Sequence, residues 1–127
     1  MRIGNVYRPA VFGCHADDRL PEVARRMVEK NVGALAVLDG DRVTGIITER
    51  DLVAALAEPT DPRDPAALTA AAYASTSLKT ATPEEESRDV AQRMLEEGIR
   101  HLPVEKDGHM IGMVSMRDLL ALETWAS

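Results

Sequence analysis

One internal offset constrains this sequence more than any other feature. Residues 23–54, VARRMVEKNVGALAVLDGDRVTGIITERDLVA, lie over residues 90–121, VAQRMLEEGIRHLPVEKDGHMIGMVSMRDLLA, without a gap at a shift of 67 positions. Twelve of the thirty-two positions are identical, among them Met27 and Met94, Val37 and Val104, Gly45 and Gly112, and the pair Arg50-Asp51 with Arg117-Asp118. Apolar period and special positions agree together, so the chain must be two copies of one supersecondary unit, which rules out folds without internal symmetry.

The local pattern gives the content of each copy. Leu20, Val23, Ala24, Met27 and Val28 recur at helical spacing, as do Val90, Ala91, Met94 and Leu95. Pro21 falls in the first turn, where its missing N–H is harmless, and Asn31 and Gly98 stand where each helix should end in a left-handed cap. Two short apolar runs follow in each copy, 34–38 with 43–47 and 102–104 with 110–114. Asp39-Gly40 and Asp107-Gly108 provide the hairpin turns. A last helix begins near Glu49 and near Met116. The segments Val11 to Cys14 and Leu78 to Ala81, again 67 apart, are expected to be a short first strand.

Each copy thus reads β-α-β-β-α, an α/β fold of the α+β type. Neither copy has enough apolar faces to close a core alone, so the two are expected to pack sheet to sheet with approximate two-fold symmetry. The expected boundaries are 7–57 for the first repeat, 58–73 for a linker with a short helix, and 74–124 for the second repeat, all within one module spanning 1–127. Pro59, Pro62 and Pro65 mark the linker.

Composition excludes several functions. A net charge of −6 and a pI near 5.0 leave no cationic face for nucleic acid or an anionic membrane surface. Aromatic residues are 3% of the chain, too few for a base-stacking platform. The single cysteine, Cys14, forbids an internal disulfide and, beside His15, gives too few ligands for a metal site. With no bilayer-length apolar run and no secretion signal at the start, a soluble cytoplasmic protein is expected. No nucleophile stands at useful spacing from a base, and there is no Walker-type loop, so an enzyme is not expected.

The residues with chemistry to offer lie where the last strand of each copy meets the last helix. Gly-Ile-Ile-Thr48-Glu-Arg-Asp51 and Gly-Met-Val-Ser115-Met-Arg-Asp118 place a hydroxyl and a carboxylate nearly one helical turn apart. An ionised Asp accepts, a vicinal diol donates twice, and Thr or Ser can donate to a phosphate oxygen beside a helix N-terminus, so a nucleotide suits the pair. The competing reading is that Thr48 and Ser115 are N-caps and the two aspartates only complement the helix dipole. The copies also differ, with Arg100-His101 standing where the first has Gly33-Ala34, so ligand affinity is expected to be unequal. Arg50 and Arg117 turn about 100° away from the aspartates and are expected at the surface.

With these motifs in place, the sequence resembles the CBS-domain family, in which two tandem copies form a Bateman module. The resemblance rests on the doubled G-h-h-[ST]-x-x-D ends, the strands GALAV at 33–37 and HLPV at 101–104, and the D-G hairpins. It implies a pseudo-dimer with two clefts between the repeats, where AMP, ADP, ATP or S-adenosylmethionine binds, with no resident cofactor. It further implies ribose contacts from Asp51 and Asp118, phosphate contacts from Thr48, Ser115, Arg100 and His101, and first-strand residues Val11, Cys14, Leu78, Thr80 and Ala81 flanking the base. Two functions fit. One is a regulatory sensor of an adenine nucleotide or S-adenosylmethionine that acts on a protein partner. The other is a non-enzymatic homodimerising module with unused clefts, its contacts made by helices carrying Leu119, Leu120, Leu122 and Trp125.

Overall fold

The structure is a computed structural model that describes residues 1–7, 13–40, 42–58, 68–76 and 79–126. Val11, Leu78, the prolines at 59, 62 and 65, and the side chains of Leu122 and Trp125 lie outside the described residues. Two compact units form, one of Phe12–Leu78 and one of Met1–Val11 with Lys79–Ser127.

The first unit holds strand β1 (Gly13–Cys14), helix α1 (Leu20–Lys30), strands β2 (Ala34–Asp39) and β3 (Arg42–Thr48), helix α2 (Glu49–Leu56) and the short helix α3 (Ala70–Tyr73). The sheet order is β1-β2-β3, with β1 parallel to β2 and β2 antiparallel to β3. Helix α1 turns Leu20, Val23 and Met27 inward, as their spacing requires, and Pro21 sits in its first turn. It stops at Asn31, whose φ of 54° places it in the left-handed region, where its N–H can return to the carbonyls of the last turn. The buried faces of α1, β2 and β3 meet in a core of Cys14, Leu20, Val23, Met27, Leu35, Val37 and Ile47, to which Leu68 and Ala70 also belong. Each such aliphatic side chain taken from water contributes about 1.5–3 kcal/mol before entropy is subtracted.

The second unit repeats this plan with helix α4 (Ser87–Glu97), strands β4 (His101–Lys106) and β5 (His109–Ser115), and helix α5 (Met116–Ala126). Gly98 ends α4 with a φ of 68°, and Asp107 and Gly108, both at positive φ, make the two-residue turn between β4 and β5. Even the irregularity is repeated, since each hairpin slips register at the same place, between Val37 and Leu38 and between Val104 and Glu105. Ala81 forms a single parallel bridge to Val104, the counterpart of Cys14 beside Val37.

The segment at the start of the chain completes this second unit. Ile3 is fully buried in the core of Val90, Met94, Leu102, Val104 and Val114. Its N–H donates to Glu85 O at 2.8 Å, Gly4 N–H to Pro83 O at 2.9 Å, and Ser87 N–H to Met1 O at 2.7 Å. In the first unit Ala70 N–H donates to Asp18 O at 2.8 Å, Ala71 N–H to Ala16 O at 2.9 Å, and Leu20 N–H to Leu68 O at 3.0 Å. Every partner is shifted by the same 67 positions, so Met1–Tyr7 is the structural copy of Leu68–Ala74. The segment around α3 is accordingly core to the first unit and not merely a connection. Among the described residues no helix is long and apolar enough to cross a membrane.

Candidate functional site

Each strand-to-helix junction is built by the same backbone logic. The residue that opens the final helix donates its N–H to the residue just before the first strand of its hairpin: Glu49 to Gly33 O at 3.0 Å, and Met116 to Arg100 O at 2.8 Å. Cross-strand pairing then sets Ala34 opposite Thr48 and His101 opposite Ser115. Directly opposed residues of an antiparallel pair share one face of the sheet, so His101 and Ser115 are neighbours there. The second junction therefore gathers Arg100, His101, Ser115 and Asp118, while the first has only Gly33 and Ala34 beside Thr48 and Asp51.

The hydroxyl and carboxylate of each pair bond each other's backbone. Thr48 N–H donates to Asp51 Oδ2 at 2.8 Å, Thr48 Oγ1 donates to the same oxygen at 3.1 Å, and Asp51 N–H returns to Thr48 Oγ1 at 3.4 Å. Ser115 N–H donates to Asp118 Oδ2 at 3.0 Å, and Asp118 N–H to Ser115 Oγ at 3.1 Å. These are reciprocal capping boxes, with Asp in the place usually held by Glu or Gln. The capping role anticipated as the competing reading is thus present in both copies. All four residues are half-buried. A carboxylate has about four lone-pair sites, so capping through Oδ2 leaves such a group with further acceptor capacity.

The first-strand residues divide by depth. Cys14 is 2% exposed and packs in the core of the first unit. Burial, with the negative charge of Asp18 beside it, pushes its thiol up to about 11 against the opposing influence of Arg26, so it is a neutral core group at physiological pH. Ala81 is fully buried, its N–H bonded to Pro103 O and its carbonyl to Glu105 N–H, both at 2.9 Å. Thr80 is half-buried. Thr80 and Ala81 flank one edge of β4, while Ser115 and Asp118 follow from β5 at the other. Arg50 and Arg117 are exposed, as their helical phase requires.

Two residues missed in the sequence are Arg26 and Arg93, which reach the first strands from α1 and α4. Arg26 Nη1 donates to Gly13 O at 2.6 Å, and Arg93 Nη2 to Thr80 O at 2.9 Å. Their signal was present, since both fall in register in VARRM and VAQRM. Glu85 is half-buried and pairs with Arg93 at 3.3 Å. Among the described residues two open hollows of about 330 and 290 Å³ are lined by Met1 with residues 86–89 and by Glu22, Arg25, Arg26 and Glu29, and no junction residue lines either. Among the described residues no group of three or more His, Cys, Asp or Glu could hold a metal ion.

The doubled fold and doubled junction agree with comparison to known proteins. The CBS domain family model matches residues 3–58 and 70–123, two copies again 67 apart. The chain belongs to the CBS domain family. It is 37% identical over 120 residues to an uncharacterized 17.7 kDa protein of Acidianus ambivalens, covering 93% of this chain and 70% of that one. Protein MJ1225 of Methanocaldococcus jannaschii is 31% identical over 110 residues, which span 84% of this chain and 38% of that longer protein. The CBS domain pair of protein MJ0100, solved with 5′-methylthioadenosine and S-adenosyl-L-methionine, superposes with a TM-score of 0.91 at 22% identity, covering 100% of this chain and 98% of that one. The α+β architecture of two CBS repeats is therefore that of solved CBS domain pairs.

Proposed function

We propose that this CBS domain pair is a cytoplasmic, non-catalytic regulatory module that binds an adenosine-containing small molecule, AMP, ADP, ATP or S-adenosylmethionine, at its strand-to-helix junctions. The observation that carries the reading is the half-buried hydroxyl–carboxylate pair found at the same place in both repeats. Its fold neighbour MJ0100 was solved with two adenosine-containing ligands, which gives the ligand class. Asp51 and Asp118 accept the ribose diol while still capping their helices, and Thr48 and Ser115 turn toward phosphate. The second junction is the tighter site, because His101 lies opposite Ser115 there and Arg100 directly precedes it. One charge-assisted hydrogen bond is worth about 1.5–3 kcal/mol, roughly 10- to 150-fold in affinity.

Binding acts on a protein partner through self-association. Val28 and Val53 in the first unit and Leu95 and Leu120 in the second are large apolar residues left exposed at positions 67 apart, as is Leu56. Matched apolar positions on the helices suit an isologous contact between two chains. This same feature supports the second reading, a homodimerising module with no ligand. Thermal shift separates the two. A ligand at 100 times its dissociation constant stabilises by about 2.7 kcal/mol, so a melt shift of several degrees is expected with at least one of the four compounds. Flat melts with all four leave only the interaction module.

A further inference from the structure

One arrangement outside the junctions recurs in both units. In the first, Arg26 Nη1 holds Gly13 O at 2.6 Å and approaches Asp18 Oδ2 at 3.5 Å, while Asp18 Oδ2 also accepts His15 N–H at 2.9 Å. In the second, Arg93 Nη2 holds Thr80 O at 2.9 Å and Glu85 Oε2 at 3.3 Å, while Glu85 Oε1 accepts Thr82 N–H at 3.0 Å. Every member is shifted by 67 positions, although the acid changes from Asp to Glu and the residue it caps from His to Thr. The same geometry is thus reached with different side chains.

The strand held in this way is short. Among the described residues β1 is two residues long and pairs with β2 alone, and its counterpart at Ala81 is a single bridge. A guanidinium presents several donors in a planar fork, so it can grip a carbonyl and a carboxylate together, which an ammonium does less well. Arg93 makes these contacts although its buried Nε has no hydrogen-bond partner among the described residues. We propose that Arg26 and Arg93 are positioning residues that latch the short first strand of each unit to its sheet, and that Arg93 thereby fixes the ligand-facing edge at Thr80. The claim about the ligand edge rests on the binding function proposed above. The latch itself does not.

Cys14 is the only cysteine of the chain, is buried, and follows Gly13 directly, so it reports on the first latch. The test is the rate of Cys14 labelling by dithiobis(nitrobenzoate) in Arg26→Gln, Arg26→Lys and the wild type, with Ile47→Val as a mildly destabilised core control. Two effects oppose each other. Loss of the nearby cation raises the thiol pKa and slows a thiolate reaction, whereas release of the strand exposes the sulfur and speeds it. The latch predicts acceleration of about tenfold or more in Arg26→Gln, an intermediate rate in Arg26→Lys, and a near-wild-type rate in Ile47→Val. Slower or unchanged labelling in Arg26→Gln, or equal acceleration in the control, overturns it. In a second arm, AMP is titrated into the wild type and Arg93→Gln. Several-fold weaker binding by the variant supports the ligand-edge role, and an unchanged dissociation constant refutes it. If AMP does not bind the wild type, ADP, ATP and S-adenosylmethionine are titrated in its place; if none of the four binds, the binding function fails and takes the ligand-edge role with it, while the labelling rates still decide the latch.

Discussion

Replacing Ile3 with Ala tests the most consequential feature of the fold, that the first residues of the chain are core to the second unit. Ile3 is fully buried among Val90, Met94, Leu102 and Val114. The substitution removes three carbons, about 2.4 kcal/mol at roughly 0.8 kcal/mol each, before any cavity cost is added. Partial collapse of the site brings the expected loss to about 3 kcal/mol, inside the usual range of about 2–5 kcal/mol for such truncations. Urea denaturation followed by circular dichroism measures this directly, and the midpoint should fall with little change in slope. The mirror substitution Ala70→Ile, at the equivalent position in the first unit, should instead overpack a site with no exposed surface and cost about 1–3 kcal/mol. A loss below about 1 kcal/mol in Ile3→Ala would refute the packing of the segment on this core.

Three further outcomes follow from the geometry. Thr48→Ala and Ser115→Ala each remove a cap and should lower stability by about 1 kcal/mol, seen as a drop of a few degrees in melting temperature. Gly45→Ala should cost about 1–3 kcal/mol in the same measurement, because the new methyl would lie 2.8 Å from the Ser75 carbonyl oxygen, which is fixed by its backbone pairing to Ile46. Because the Cys14 thiol titrates near 11 in the folded chain against 9.0 for a free thiol, the neutral form is favoured on folding. Its contribution is complete below pH 9 and is lost as the pH rises from 9 through 11, so Cys14→Ala should flatten the stability profile in that window.

Much of the fold was legible because the repeat is carried by side chains with demanding positions. Gly45, the left-handed caps Asn31 and Gly98, and the hairpin turn at Asp107-Gly108 each have a backbone reason that survives in sequence. The equivalence of Met1–Tyr7 with Leu68–Ala74 was not legible. Ile3 answers Ala70 and Val6 answers Tyr73, so the side chains differ while the backbone hydrogen bonds agree. At the junctions, the hydroxyl and acid were located correctly, but their reciprocal bonding depends on rotamers that spacing cannot fix. The two arginines went unread because a helical arginine usually reads as solvated surface. Their targets, Gly13 O and Thr80 O, are backbone atoms with no sequence mark.

The central claim is that the aspartate one turn into each final helix receives a ribose. Calorimetric titration of AMP and S-adenosylmethionine into the wild type, Asp51→Asn and Asp118→Asn tests it most directly, since Asn keeps an acceptor for the cap while losing the charge. The account predicts binding by the wild type and at least tenfold weaker binding at the second site in Asp118→Asn, with the smaller loss in Asp51→Asn. Wild-type affinity retained in both variants would contradict it.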